Sequence, residues 1–294
     1  FCLGEFVAAR GHLEEGLALF DPSDRPFYAA VTLQDARVML LSWMSVLFPL
    51  GYLDQAKASS SEALAEARRL GQPFSLAIGG LLFLLFHNAR VGERDPSTLL
   101  TTLQHSEELI ALATEQDFPQ LVAFGRICRG WCMAALGRGS QGIELLTQGL
   151  DGHRAIGASM WMPRNLLLLA DAYREARQPQ AALRQLAEAD DVMRTTQERS
   201  FEAEVHRLRG ELLHDAGDCA AAEAHFRTAL DVARYQRAKF WELRAALDLA
   251  RLWRDQGKRI EARDLLAPIY GWFTEGFDTL DLKEAKTLLE QLKA

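Results

Sequence analysis

The sequence has few cysteines, no basic excess and no long apolar run, and each deficit argues against a class of protein. Four cysteines in 294 residues are too few and too scattered for a disulfide framework, so a reducing compartment is expected. A net charge of −7 argues against nucleic-acid binding. The longest strongly apolar run, residues 81–86, is far shorter than the ~20 residues of a membrane helix. We therefore expect a cytoplasmic protein with no nucleic-acid or membrane partner.

Catalytic and metal-binding motifs are also lacking. There is no GxxxxGK[ST] phosphate loop and no HExxH zinc motif. Cys128 and Cys132, one helical turn apart, could hold a metal only with two further ligands, and no matching Cys or His pair follows. A zinc site built from His206, His214 and His225 would need an unusual geometry. The sequence therefore predicts buried free thiols, with no catalytic residue, metal or cofactor.

What the sequence does contain is an internal repeat of about forty residues. Four turn positions lie forty residues apart, and two earlier ones precede them at looser intervals of 86 and 47 residues. These positions are Gly4, Gly51, Gly137, Arg177, Gly217 and Gly257.

After each turn, a small–large–small row recurs at i, i+4 and i+7. The rows are Ala9/Leu13/Gly16, Ala56/Ser60/Ala63, Gly142/Leu146/Gly149, Ala182/Leu186/Ala189, Ala222/Phe226/Ala229 and, more loosely, Ala262/Leu266/Ile269. This spacing places each row on one helical face, where small residues let two helix axes approach closely. A generic alanine-rich bundle is the alternative, but six rows in register with a turn favour paired antiparallel helices.

The repeats predict an all-α fold, a right-handed, elongated superhelical solenoid of six to seven antiparallel helix pairs. Residues 20–35 are expected to form a linker-like insertion, and an irregular connection near Gly92 is expected to join helices at 75–89 and 97–115. Asp278 or Thr279 can cap a final helix. The approximate units of this single domain are 1–20, 35–70, 75–115, 120–156, 162–196, 201–236 and 241–273, with a capping helix at 279–293.

The small–large pattern around a Gly-containing turn resembles tetratricopeptide repeats of a long, forty-residue variety. The segments "GWCMAALGRGSQGIELLTQGL" and "ARLWRDQGKRIEARDLLAPIYGWFTEGF" are similar to the C-terminal region of bacterial multidomain signalling proteins. In those proteins a class III adenylate or guanylate cyclase domain and a signalling ATPase precede the repeats. The resemblance implies a regulatory arm of a larger protein, and the start at Phe1 rather than methionine fits a fragment.

The helix before each turn is the first helix of its pair, and one of its faces should pack against the small–large–small row of the second helix. The row displaced by one residue from that face forms a candidate binding surface. This row should line the concave side of the superhelix, and it changes from apolar to charged along the chain. Guanidinium groups pair bidentately with carboxylates, so the arginines could hold an acidic peptide. Ordinary buried or solvated helix surface is the alternative. The candidate residues are Trp131, Arg164, Arg174, Arg207, Glu211, His214, Arg244, Arg251 and Arg254.

We therefore expect a non-catalytic protein–protein interaction or regulatory scaffold module. Its partner would be a protein or peptide, with upstream domains of the same chain as one candidate. One alternative is an effector-sensing module in which the superhelix encloses a small molecule or nucleotide near Trp131 and Trp161. Another is an enzyme built on a helical toroid. The sequence does not indicate the oligomeric state.

Overall fold

The protein is built from helices throughout the part of the chain that is described, residues 1–32, 34–88 and 94–293 of a computed structural model. The first half contains α1 (Phe6–Leu19), α2 (Arg25–Thr32), α3 (Ala36–Ser45), α4 (Leu53–Leu70), a π-helical segment (Ser75–Leu82), α5 (Phe83–Asn88), α6 (Pro96–Glu115) and α7 (Pro119–Ala135). The second half contains α8 (Gly139–Ala155), α9 (Met162–Glu175), α10 (Pro179–Thr196), α11 (Glu202–Asp215), α12 (Cys219–Tyr235), α13 (Lys239–Asp255), α14 (Arg259–Tyr270) and α15 (Leu280–Lys293). The all-α prediction is confirmed.

Two series of left-handed turns set the forty-residue period. The predicted turns at residues 137, 177, 217 and 257 all have positive φ, including the non-glycine Arg177 at +57°. A second series, at residues 117, 157, 197 and 237, also has positive φ and links each helix pair to the next. The sequence does not reveal this second series, because only one of its four members is glycine.

The small–large–small rows lie at close helix contacts, as predicted. A Cβ atom added to Gly142 would lie 2.5 Å from both the Gly130 carbonyl oxygen and the Ala134 backbone nitrogen. The two helices α7 and α8 therefore touch backbone to backbone, a separation that only glycine permits. Five of the six rows are fully buried, whereas the first one, Ala9/Leu13/Gly16 in α1, is only half-buried.

The irregular regions differ in part from expectation. Residues 20–35, predicted to be linker-like, form a 3₁₀ turn at Pro22–Asp24 and then helix α2. The predicted turn at Gly92 lies outside the described residues, while the helices expected on either side of it are present. In the final helix, the Thr279 hydroxyl donates to the Gly276 carbonyl instead of capping the helix.

The N-terminal helices pack against the C-terminal repeats, so the predicted elongated shape is wrong. The Phe48 ring lies 5.3 Å from the ring of Trp241, and the Arg199 amide donates to the Cys2 carbonyl at 2.7 Å. Asp54 at the start of α4 accepts a hydrogen bond from the Gly276 amide at 3.0 Å. The accessible surface of 13,012 Å² is close to the roughly 12,500 Å² of a compact protein of this mass.

Substitutions in one alanine row should separate contact positions from exposed ones. Ala222 and Ala182 are fully buried, whereas Ala220 in the same helix as Ala222 is exposed. We expect Ala222→Leu and Ala182→Leu each to lower the free energy of unfolding by about 1–3 kcal/mol, because the added atoms have no space. Ala220→Leu should cost less than about 0.5 kcal/mol. Chemical denaturation measures all three, and equal losses would show that the helix faces are wrongly assigned.

Candidate functional site

The interior of the superhelix is apolar on one side. Trp161 lies at the centre of this region, with ring-centroid distances of 5.0 Å to Phe86, 5.6 Å to Phe83 and 5.7 Å to Phe124. Only 4% of Trp161 and 1% of Trp131 is exposed. Both indoles are therefore buried, and the alternative of a small molecule enclosed beside them stays a prediction.

The other side of the interior is a network of charged side chains. Its members come from α9, α11, α13 and the final helix α15, together with Arg94 from the residues before α6. We call this set the concave network: Arg94, Asp171, Arg174, Glu175, Glu204, Arg207, Glu211, Arg244, Asp248, Arg251, Asp281 and Glu284. A cleft of about 170 Å³ opens among them.

Arg207 is the centre of this network. Its Nη1 atom lies 2.7 Å from the Asp248 carboxylate and 3.2 Å from that of Glu211, and its Nε donates to Glu204 at 2.9 Å. Only 3% of Arg207 is exposed. Burial alone would lower the pKa of this guanidinium, but the surrounding carboxylates raise the pKa well above its ordinary value. Arg207 is therefore held charged.

The same type of pair connects the remaining repeats. Arg244 on α13 pairs with Glu204 on α11 and, at 3.0 Å, with Asp281 in the first turn of α15. Arg251 pairs with Asp248 at 3.0 Å and with Glu284 of α15 at 2.7 Å. The concave network therefore ties α11, α13 and α15 together across two repeat boundaries.

A second cluster in the network surrounds Asp171 on α9. The carboxylate accepts a hydrogen bond from Trp131 Nε1 at 3.0 Å and lies 3.2 Å from Arg94 and 3.6 Å from Arg174. Burial would raise the pKa of Asp171, but Arg94 and Arg174 outweigh it and the pKa is lowered. Asp171 therefore stays ionised inside the protein.

Several predicted binding residues are not where the sequence indicated. Arg164 is 1% exposed, and its guanidinium lies in the apolar region, 4.5 Å from the centre of the Phe86 ring. Arg207 and Arg244 are buried, so the expectation of an exposed arginine row is wrong for these three. Arg254 is partly exposed and pairs with Asp255 at 2.8 Å, while His214 is half-buried at the end of α11.

The charge of the concave network also differs from expectation. Its five arginines are accompanied by seven carboxylates, so its formal charge is −2 rather than positive. The sequence contained a signal for this: Glu204 and Arg244 lie one period of forty residues apart, as do Trp131 and Asp171. Side chains one period apart occupy equivalent positions in successive repeats and can pair directly.

Three side-chain atoms of residues that line the cleft are buried without a hydrogen-bond partner among the described residues: Arg174 Nε, Arg207 Nη2 and Glu211 Oε2. Burial raises the pKa of Glu211, and the neighbouring Asp248 raises it further, although Arg207 opposes this. The wall of the cleft therefore contains a buried donor on Arg207 and a buried acceptor on Glu211, and each lacks a partner.

The other candidate sites from the sequence show no such arrangement. Cys128 and Cys132 are buried free thiols, and burial raises the pKa of both. The Nδ1 atoms of His206 and His225 lie 3.2 Å apart. Across residues 1–32, 34–88 and 94–293, no group of three or more side chains is arranged to hold a metal ion. None of the helices described in these ranges is long and apolar enough to cross a bilayer.

Comparisons with known proteins support the fold. The sequence matches no model of a known protein family and no curated protein. The structure of a Rap protein complexed with Competence and Sporulation Factor is similar over 98% of this chain and 88% of that one, with 12% identity and a TM-score of 0.62. The apo form of RapI is similar over 97% of this chain and 91% of that one, with 11% identity and a TM-score of 0.57.

A weaker likeness covers 60% of this chain and 86% of a chain from Podosopora anserina with nearly identical TPR-like repeats, at 18% identity and a TM-score of 0.46. At these identities the comparisons speak to the fold alone. The chain has a solenoid fold of the tetratricopeptide-like type.

Proposed function

We infer that this chain is a non-catalytic interaction and regulatory module that binds an extended polypeptide segment in the cleft of the concave network. The observation that carries this proposal is the unpartnered pair of atoms, Arg207 Nη2 and Glu211 Oε2. A peptide backbone offers a carbonyl acceptor and an amide donor side by side, so it can satisfy both atoms at once. Leaving them unmet costs about 1–3 kcal/mol each, which a bound segment would recover.

The charge of the concave network determines which side chains a bound peptide segment can carry. Because every arginine named in it already faces a carboxylate, a purely acidic peptide would have to displace internal partners. A segment with neutral polar side chains, such as asparagine or glutamine, meets the donors and acceptors without that cost. This replaces the acidic peptide that the sequence indicated. The Rap structure complexed with Competence and Sporulation Factor provides a precedent on a similar fold.

The context proposed for this module is the C-terminal arm of a bacterial cyclase and ATPase signalling protein. The support is the resemblance of its repeats to those arms, and the partner segment would then come from upstream domains of the same chain or from another protein. The sequence of the complete gene tests this parentage. A cyclase or ATPase domain upstream is the expected result, and its absence would rule the parentage out.

Selection of peptides from a random display library tests the proposed binding. Arg174 and Arg251 line the cleft with side chains 23% and 36% exposed, so their replacement should alter the rim without unfolding the protein. We expect the selected peptides to bind the Arg174→Ala, Arg251→Ala double variant at least about tenfold more weakly, since a hydrogen bond to a charged group contributes about 1.5–3 kcal/mol.

Arg194→Ala is the matched control, because its side chain is 75% exposed and pairs with Asp191 on the same helix. Isothermal titration should give this variant the wild-type affinity. Failure to select any peptide, or equal affinity of all three proteins, would overturn the proposal.

A further inference from the structure

A second pocket lies at the seam where the N-terminal helices meet the last repeats. Its volume is about 390 Å³, within the range of ~300–1,000 Å³ that small-molecule sites occupy. Its walls come from α1, the start of α4, the turn between α12 and α13, and the segment after α14. It shares no lining residue with the cleft of the concave network. We call it the seam pocket.

The seam pocket has an excess of positive charge in a chain whose net charge is −7. Four cationic side chains and one carboxylate line it: Arg10, Arg234, Arg237, Lys239 and Glu242. Arg234 Nε and Lys239 Nζ share the Glu242 carboxylate, at 2.9 and 2.7 Å. Arg237 is exposed and forms no ion pair with any residue of the described ranges. Arg10 pairs with Glu14 at 2.7 Å, so the four cations face two carboxylates and the pocket favours an anion.

Two aromatic side chains lie beside these cations. The rings of Tyr52 and Trp272 are 5.7 Å apart and inclined at 62°. Arg10 lies 4.2 Å above the Tyr52 ring, and Lys239 Nζ lies 5.8 Å from that of Trp272. Trp272 is 38% exposed, whereas the other five tryptophans are buried or half-buried. Its indole is therefore available to stack on a planar group.

Gly51 allows the aromatic and the cationic side chains of the pocket to lie close together. It has φ of +98°, and an added Cβ would lie 2.7 Å from the Trp272 ring and 3.1 Å from Lys239 Cβ. Any side chain at this position would push the aromatic and cationic walls apart. The close approach at Gly51 thus places the ring and the charge within the span of one small ligand.

We propose that the seam pocket binds a mononucleotide, with the base stacked on Trp272 and the phosphate paired with Arg237 and Lys239. The ligand chemistry follows from the volume, the excess cations and the exposed indole. Because the pocket is formed by both ends of the chain, a bound nucleotide holds the first and last repeats together. This adds an effector site to a module whose partner site is elsewhere, and it does not depend on the proposed peptide binding.

Titration with AMP, adenosine, inorganic phosphate and phosphotyrosine tests the proposal on the full chain. Tryptophan fluorescence and the melting temperature report binding, since a ligand of the folded state raises Tm. We expect saturable AMP binding with a Kd below about 1 mM. Adenosine and phosphate, which each lack one half of the ligand, should bind at least about tenfold more weakly.

Variants distinguish this site from the cleft. Arg237→Ala and Trp272→Leu should each weaken AMP binding at least about tenfold, whereas the Arg174→Ala, Arg251→Ala variant should bind AMP normally. Arg237 is exposed, so its replacement leaves the fold intact even where Trp272→Leu does not. Absence of AMP binding, affinity unchanged in Arg237→Ala, or tighter binding of phosphotyrosine than of AMP would each overturn the proposal.

Discussion

Arg207→Ala is expected to lower the free energy of unfolding by about 3–5 kcal/mol at neutral pH, because it leaves buried carboxylates without their counter-ion. The side chain is 3% exposed and contacts Glu204, Glu211 and Asp248. The sequence alone placed this arginine on a candidate peptide-binding surface. Urea denaturation at pH 7 measures the difference.

Arg194→Ala is again the control, and an exposed pair of this kind should contribute less than about 1 kcal/mol. The loss in Arg207→Ala should shrink in acid. Burial would raise the pKa of Asp248, but Arg207 helps to lower it. The ion pair of Asp248 with Arg207 therefore stabilises the fold fully above the unfolded pKa of Asp, about 3.9. That stabilisation disappears as pH falls through the lower folded pKa. A loss in Arg207→Ala no larger than that in the control would show that the network does not hold the repeats together.

Glu198→Gln is expected to remove a pH dependence of stability that belongs to one buried carboxyl. Glu198 is 4% exposed, its Oε2 accepts from the Trp161 amide at 2.9 Å, and its Oε1 is unpartnered among the described residues. Burial raises its pKa from 4.5 to about 7. Between these values the folded state binds more protons than the unfolded state, so stability falls as pH rises.

The size of this effect follows from the shift in pKa. At about 1.4 kcal/mol per unit, the stability of wild type relative to Glu198→Gln should fall by about 3 kcal/mol between pH 4 and pH 8. Because the comparison concerns a change with pH, any pH-independent effect of replacing the carboxyl group by an amide cancels. Glu290→Gln, at an exposed position on α15, should show no such trend. Parallel stability curves for wild type and Glu198→Gln would mean that Glu198 is ionised without penalty in the folded protein.

The repeat and its joints could be predicted from the sequence because they are periodic and local. Gly142, Ala182 and Ala222 each lie at a fixed distance from a turn, and the close approach of two helices requires small side chains there. The forty-residue spacing even identified Arg177 as a turn residue, although it is not a glycine, and its φ in the structure is +57°.

The packing of the N-terminal helices against the C-terminal repeats could not be predicted from the repeat pattern. Contacts such as Phe48 with Trp241 and Asp54 with Gly276 join residues about 190–220 positions apart and occur only once. An aromatic residue that packs across such a distance carries the same sequence signature as one in a local core. A periodic pattern alone therefore predicts an elongated shape. The structure is more compact because the N-terminal helices pack against the last repeats.

The candidate site was predicted in position but not in chemistry. The row one residue after the core row does face the interior, and it contains Arg174, Arg207 and Arg251. Glu211 lies on the same row, but Glu204 and Glu284 lie off it, so reading one row at a time gave an arginine-rich surface where the structure has a network of ion pairs. Pairing depends on neighbouring repeats, and a single helix face does not contain that information.

Photo-cross-linking of a selected peptide tests most directly whether the interior of the superhelix is the binding site. The peptide carries a photoreactive group, and mass spectrometry identifies the protein residues to which it couples. Cross-links to residues that line the cleft, such as Leu247 and Leu280, are the predicted result. Cross-links confined to the outer surface of α12, or to the seam pocket at Tyr52 and Trp272, would contradict the account.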